Sequence, residues 1–184
     1  MLPCTIRRAV AADAEAVVEI YNAGIVERVA TFETTLRTPQ EIADRIGANA
    51  RHPVLIAERD GVVLGWAGIS SYRSRACYDG VGEFSIYIAR HARGQGIGRV
   101  LLAALIAEAA SLGYWKLLSR IFTFNTASRA LCQSCGFREV GVYEKHGRLD
   151  GRWLDVVIVE RLIPENQAAL TDSASISDLE RLQK

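Results

Sequence analysis

Apolar and polar positions along the chain switch repeatedly between alternation and helical spacing. Thr5 to Val10 is short, partly β-branched and reads as a first strand. Asp13 is placed to cap a helix in which Val17, Ile20, Tyr21 and Gly24 recur at helical spacing. Thr38-Pro39-Gln40-Glu41 opens a second helix, with a capping hydroxyl, proline at the first helical position and glutamate three residues after the cap. Val54 to Glu58 and Val62 to Ser71 form a hairpin about an Asp60-Gly61 turn. Gly82 to Ala89 alternates, with Phe84, Ile86 and Ile88 on one face and Glu83, Ser85 and Tyr87 on the other. Past a glycine-rich loop, Val100 to Leu112 is an alanine- and leucine-rich helix that stops at Gly113. Leu117 to Phe122 is a strand, and Asn125 to Cys135 is a short helix closed by Gly136. Phe137 to Tyr143 and Trp153 to Leu162 are the last strands, parted by a polar stretch that turns at Asp150-Gly151.

The order β-α-α-β-β-β-α-β-α-β-β predicts an α+β fold, a mostly antiparallel mixed sheet flanked by helices. One domain spans residues 1–163. Pro164 ends regular structure, and the polar tail 164–184 is expected to be loosely ordered or weakly helical around Ile176 to Leu182.

Composition narrows the function. The chain of 184 residues is one domain in size, and a formal charge of +1 provides no general attraction to nucleic acid or an anionic membrane. No run approaches the roughly 18 apolar residues of a membrane span. Met1-Leu2-Pro3-Cys4 lacks the basic-then-apolar pattern of a secretory signal, so a cytoplasmic protein is expected. Among Cys4, Cys77, Cys132 and Cys135 there is a single close pair and no histidine partner in ligand spacing. No metal is expected, and the thiols read as buried or half-buried groups in a reducing compartment.

The strongest local signal is Arg93-Gly94-Gln95-Gly96-Ile97-Gly98, between a strand and a long helix. Such a loop lets the backbone approach a ligand and aims several N–H groups at one point, while the helix dipole favours phosphate. Arg93 and Arg99 add positive charge. Taken alone, the same glycines would equally serve a tight turn. A P-loop is excluded because Val100-Leu101 stands where Lys-Ser/Thr would follow, and the glycine spacing misses the dinucleotide fingerprint.

With its surroundings, this loop resembles that of the GCN5-related N-acetyltransferases. In that family Arg/Gln-x-x-Gly-x-Gly/Ala after the fourth strand binds the pyrophosphate of acetyl-coenzyme A, and Arg93, Gly96 and Gly98 match it. Asn125-x-x-Ser128 followed by Gly136-Phe137 is similar to the next cofactor-facing segment. The resemblance runs from about Thr5 to Ile163. It implies a splayed central strand pair that binds acetyl-coenzyme A as co-substrate along Phe84, Ser85, Ile86, Tyr87 and Ile88. Within the family, Ala30-Thr31-Phe32-Glu33, Tyr72-Arg73-Ser74-Arg75-Ala76, Glu83-Phe84-Ser85-Ile86-Tyr87 and Gly151-x-Trp153-x-Asp155-Val156 resemble the phosphinothricin and methionine sulfoximine N-acetyltransferases. Tyr143-Glu144-Lys145-His146 leans toward the arsinothricin branch.

Acetyl transfer to an amine requires removal of a proton, stabilisation of an oxyanion and release of a thiolate. Glu83 resembles the family's catalytic glutamate; without the resemblance it would read as a solvated strand residue. Backbone N–H groups of Ser85 to Ile88 are the oxyanion candidates. Many relatives carry Tyr or His where Cys132 stands, so Cys132 is read first as a packing residue and second as a proton donor to sulfur. Arg73 and Arg75, two apart in an extended segment, are either solvated loop arginines or a clamp for an acceptor's anion, with Tyr72 and Tyr78 beside them. Glu27, Phe32 and Thr34 are further acceptor-pocket candidates, since in relatives this segment approaches the site, sometimes across a dimer interface. Trp153 and His146 are read as packing and surface residues. The expected protein is a homodimeric N-acetyltransferase for a small glutamate-like amine acceptor. An enzyme for protein N-termini or polyamines and a non-catalytic acetyl-coenzyme A-binding module remain as alternatives.

Overall fold

Asp60 and Gly61 both adopt left-handed φ (52° and 77°), the conformation a two-residue hairpin turn requires, and join β2 (Val54–Arg59) to β3 (Val62–Ser71). This hairpin lies near one edge of a seven-stranded sheet in a computed structural model that describes residues 4–48 and 50–167. The remaining strands are β1 (Thr5–Arg8), β4 (Val81–Ile88), β5 (Lys116–Phe122), β6 (Arg138–Leu149) and β7 (Arg152–Leu162). Their order across the sheet is β1-β2-β3-β4-β5-β7-β6, and every pairing is antiparallel except β4 with β5. Among the described residues, the α-helices that accompany them are α1 (Ala14–Glu27), α2 (Pro39–Ala48), α3 (Ile97–Ser111) and α4 (Thr126–Ser134), with residues 165–167 also helical. The fold is thus α+β with a mixed, mostly antiparallel sheet, in the element order the sequence predicts.

Local chemistry explains most boundaries. Glu41 accepts the Thr38 N–H at 2.7 Å and donates its own N–H to the Thr38 hydroxyl at 3.3 Å, closing the predicted capping box. Asn125 accepts the Ser128 N–H at 3.1 Å and so caps α4. α3 begins three residues earlier than Val100, at Ile97, directly on the glycine loop. β6 continues through the polar stretch to Leu149 instead of ending near Tyr143, because its register with β7 slips between Tyr143 and Gly147 and then resumes. The turn at Asp150-Gly151 forms where predicted, both residues having positive φ. The tail expectations for residues 168–184 lie outside the described residues.

The core forms where α1 and α3 cover the sheet. Leu101, Leu102 and Leu105 of α3 are wholly buried with Ile56, Ala57, Ala67 and Leu117 from the strands. A smaller cluster of Phe122, Leu149 and Val156, with Phe32 packed on it, supports the far end of β5.

Asp13 does not cap α1 with its side chain. Its carboxylate turns back to accept the Val10 N–H at 2.8 Å and two hydrogen bonds from Arg7 at 2.7 and 2.8 Å. The hydrogen bonds from Arg7 hold its pKa below the usual aspartate value against the opposing effect of burial. A depressed folded-state pKa stabilises above the unfolded value of about 3.9 and is lost as pH falls through the folded value. Asp13→Asn should therefore lower the melting temperature at neutral pH, and its gap from the wild type should close as pH drops below about 3.9. A gap independent of pH would exclude this linkage.

Candidate active site

The parallel ladder between β4 and β5 is three pairs long: Val81 with Lys116, Gly82 with Leu117 and Glu83 with Leu118. β4 then continues to Ile88 and β5 to Phe122 without pairing to each other, so the sheet opens into a V whose apex is at Glu83. The Ala89 N–H donates to Leu64 O on the β3 side at 2.9 Å. Because N–H direction alternates along a strand, the amides of Ile88 and Ile86 face the gap.

Two cavities meet in this V, sharing Ala30, Ile86, Tyr87, Asn125 and Ser128 in their walls. The outer one, about 610 Å³, runs along Arg93, Gly94, Gly96, Ile97, Gly98, Arg99 and Leu131. Gly94 and Gly96 hold φ of 74° and 79°, a region that side chains disfavour. The N–H groups of residues 94 to 98 have no backbone acceptor among the described residues, and they surround the start of α3. An array of open amides at a helix N-terminus fits a diphosphate. Arg93 donates from Nε to Ile88 O at 3.1 Å and from Nη2 to Glu27 at 2.9 Å, and Glu27 also accepts from Arg90 at 3.0 Å. Burial raises the Glu27 pKa, but the two guanidiniums outweigh it and hold the carboxyl below the ordinary range. The Gln95 side chain ties back to His91 O at 2.9 Å and does not line the cavity. Asn125, besides capping α4, donates to Val29 O at 3.0 Å and so fixes the connection after α1 against the V.

The inner cavity, about 260 Å³, holds Glu83, Phe84, Ser85, Phe32 and Cys132 from the sequence reading. It also holds Thr31, Glu33, Arg120 and His146, which that reading did not place there. Arg120 grips Glu83, its Nε donating to Oε1 at 2.9 Å and its Nη2 to both carboxylate oxygens at 2.5 Å. Phe32 meets Phe122 edge-on at 4.8 Å, and His146 lies 6.4 Å from the Phe32 ring, forming one wall. Glu33 is paired with Arg37 at 2.6 Å. Burial pushes the Tyr87 phenol well above its usual range and keeps it protonated. Burial likewise pushes the Cys132 thiol up to about 12. A thiol held so high is a poor proton donor to a coenzyme A thiolate, which favours the packing role.

Other candidates lie elsewhere. Glu27 lines the outer cavity with Arg93, one of the two arginines it pairs, and Thr34 lines neither. Arg73 stacks over Tyr72 and Tyr78 at 5.1 and 5.8 Å, and Arg75 precedes the short turn Ala76–Tyr78. None of these four lines the V within one chain. His146 faces the inner cavity, not only solvent, whereas Trp153 is 57% exposed under Arg148 and is not a packing residue.

The acetyltransferase (GNAT) family profile matches residues 17–137. Among curated proteins, phosphinothricin N-acetyltransferase of Alcaligenes faecalis is 36% identical over 172 residues, covering 92% of this chain and 87% of that protein. The crystal structure of a GNAT superfamily phosphinothricin acetyltransferase from Sinorhizobium meliloti, in complex with acetyl-coenzyme A, superposes with a TM-score of 0.84 at 35% identity, over 90% of this chain and 91% of the other. A ribosomal-protein-alanine N-acetyltransferase structure from Brucella melitensis gives 0.83 at 37% identity, over 86% and 99% of the two chains.

Proposed function

Because the chain belongs to the acetyltransferase (GNAT) family and is an acetyl-coenzyme A-dependent N-acetyltransferase of small amines, we propose that its acceptor is the α-amine of a glutamate-like amino-acid analogue. The acceptors in view are phosphinothricin, methionine sulfoximine and arsinothricin, and the cellular consequence is resistance to them. The observation that carries this reading is the inner cavity at the apex of the V. A carboxylate (Glu83) and a guanidinium (Arg120) stand there together, a lining suited to a small zwitterion.

In this reading the loop amides of residues 94 to 98 and Arg93 hold the donor's diphosphate, and Asn125 and Ser128 border its pantetheine arm. The acetyl thioester lies at the junction of the two cavities, where the Ile86 and Ile88 amides point at the carbonyl oxygen and stabilise the negative charge that develops on it. Glu83 takes the proton from the acceptor's ammonium, so that the free amine attacks the thioester carbon directly. As the tetrahedral intermediate collapses, the attacking nitrogen gives up its second proton to solvent and coenzyme A leaves as thiolate, with no proton from Cys132. The homodimer and cytoplasmic setting belong to the same proposal. Arg73 and Arg75, outside the chain's own cavity, would approach an acceptor from a second copy.

The test is consumption of acetyl-coenzyme A with each of the three amino acids, with an alanine-initiated peptide and a polyamine in parallel. Turnover of at least one of the three, in preference to peptide and polyamine, is expected. No turnover of any of them would remove the acceptor class.

A further inference from the structure

Arg120 is the one guanidinium or ammonium among the described residues that line the inner cavity. Its side chain projects from β5, two residues beyond the last pair of the β4–β5 ladder, and reaches back across the apex to Glu83. Only part of its donor set is used there. Nε and Nη2 hold the carboxylate, while Nη1 has no hydrogen-bond partner among the described residues. The side chain is 43% exposed and Glu83 20%, so the pair faces open space and is not sealed in the core. Glu33, the other carboxylate in the wall, is already held by Arg37.

An ion pair that opens onto a cavity is complementary to a second ion pair. An α-amino acid carries its ammonium and carboxylate on the same carbon, with opposite charges side by side. Laid against Glu83 and Arg120, its ammonium meets the glutamate and its carboxylate meets the open edge of the guanidinium, whose planar fork suits a carboxylate. A plain amine gains only the first contact, and its entry leaves the Nη1 edge as it was. We propose that Arg120 determines acceptor specificity: Nη1 takes the acceptor's carboxylate while the Nε–Nη2 edge holds Glu83 at the amine. This rests on the acceptor class and base assigned under Proposed function.

The experiment compares wild type, Arg120→Gln and Arg120→Lys on matched acceptors. Methionine sulfoximine and phosphinothricin are each paired with the amine lacking the α-carboxylate. Losing the tie to Glu83 slows both members of a pair, so the readout is the ratio of their kcat/KM values, which a merely structural role does not move. In Arg120→Gln the preference for the amino acid should fall about tenfold or more, chiefly through KM. Lysine, a point charge without the fork, should restore part of that preference. Acetyl-coenzyme A affinity, measured by calorimetry, should stay within about twofold, since Arg120 does not line the outer cavity. Should Arg120→Gln not fold, a preference in Arg120→Lys at least about threefold below wild type carries the same conclusion. A ratio unchanged in the folded variants overturns the inference while leaving the proposed acceptor class intact. Acetylation of no amino acid by the wild type overturns both.

Discussion

Replacing Glu83 by glutamine should lower kcat at neutral pH by roughly 10²–10³-fold while acetyl-coenzyme A still binds. Glutamine keeps the shape of the side chain and one oxygen that can accept from Arg120, but it cannot take a proton from an ammonium. Glu83 lies outside the wall of the outer cavity, so donor binding has no direct dependence on it. The pH profile separates this role from a structural one. As pH rises, solvent deprotonates the acceptor and the need for a base shrinks. The variant's rate should therefore climb with pH across the range in which the wild type has levelled off. Full activity of the variant at pH 7 would remove Glu83 as base. An equal deficit at every pH would recast it as a residue that only holds Arg120.

Trp66→Ala should lower stability by about 3–5 kcal/mol, the usual result of emptying a buried aromatic site. Trp66 is 1% exposed, stacks on Tyr87 with centroids 5.0 Å apart, meets Tyr21 edge-on at 5.4 Å and carries Arg45 over its other reach at 5.4 Å. For a chain of this size the melting temperature should fall by roughly 6–20 °C. Trp66→Phe should lose far less. Much of the ring area remains, and the indole Nε1, buried without a hydrogen-bond partner among the described residues, disappears with the substitution. Because Tyr87 borders both cavities, the alanine variant should also lose activity at temperatures well below its melting point. Thermal unfolding followed by circular dichroism gives the comparison. A shift for alanine no larger than for phenylalanine would contradict this account of the cluster.

What could be read from the sequence was what neighbours along the chain decide. The Asp60-Gly61 turn and the Thr38–Glu41 box depend on contacts within a few residues, and each forms where predicted; the glycine loop leads into a helix as expected, though that helix starts three residues sooner. Asp13 misled because Arg7, across the first loop, competes for the same carboxylate more strongly than an N–H at the start of α1. The inner cavity depends on distant pairings. Arg120 meets Glu83 across 37 residues of chain, through a parallel register that no local pattern encodes. The one available signal was an arginine interrupting the apolar run of Leu117, Leu118, Ile121 and Phe122. His146 was hidden by the slip in β6, where Lys145 takes φ of 48° and its N–H is held by Asp155 at 2.7 Å. The polar stretch before the Asp150-Gly151 turn is strand, and it bends a ring into the wall of the inner cavity.

The short ladder between β4 and β5 has a thermodynamic consequence. Peptide groups along the two inner edges beyond Glu83 lack the sheet partner they would have in a continuous sheet; apart from Ile88 O, which accepts from Arg93 Nε, and Phe122 O, which accepts from the Asn125 N–H, they are left to solvent before a ligand arrives. A guest entering the cleft exchanges hydration for direct hydrogen bonds, and the protein sacrifices no internal contact to receive it. Affinity then depends on how closely the incoming chain imitates a missing strand, and closing the cleft by mutation would strengthen the scaffold at the direct expense of occupancy.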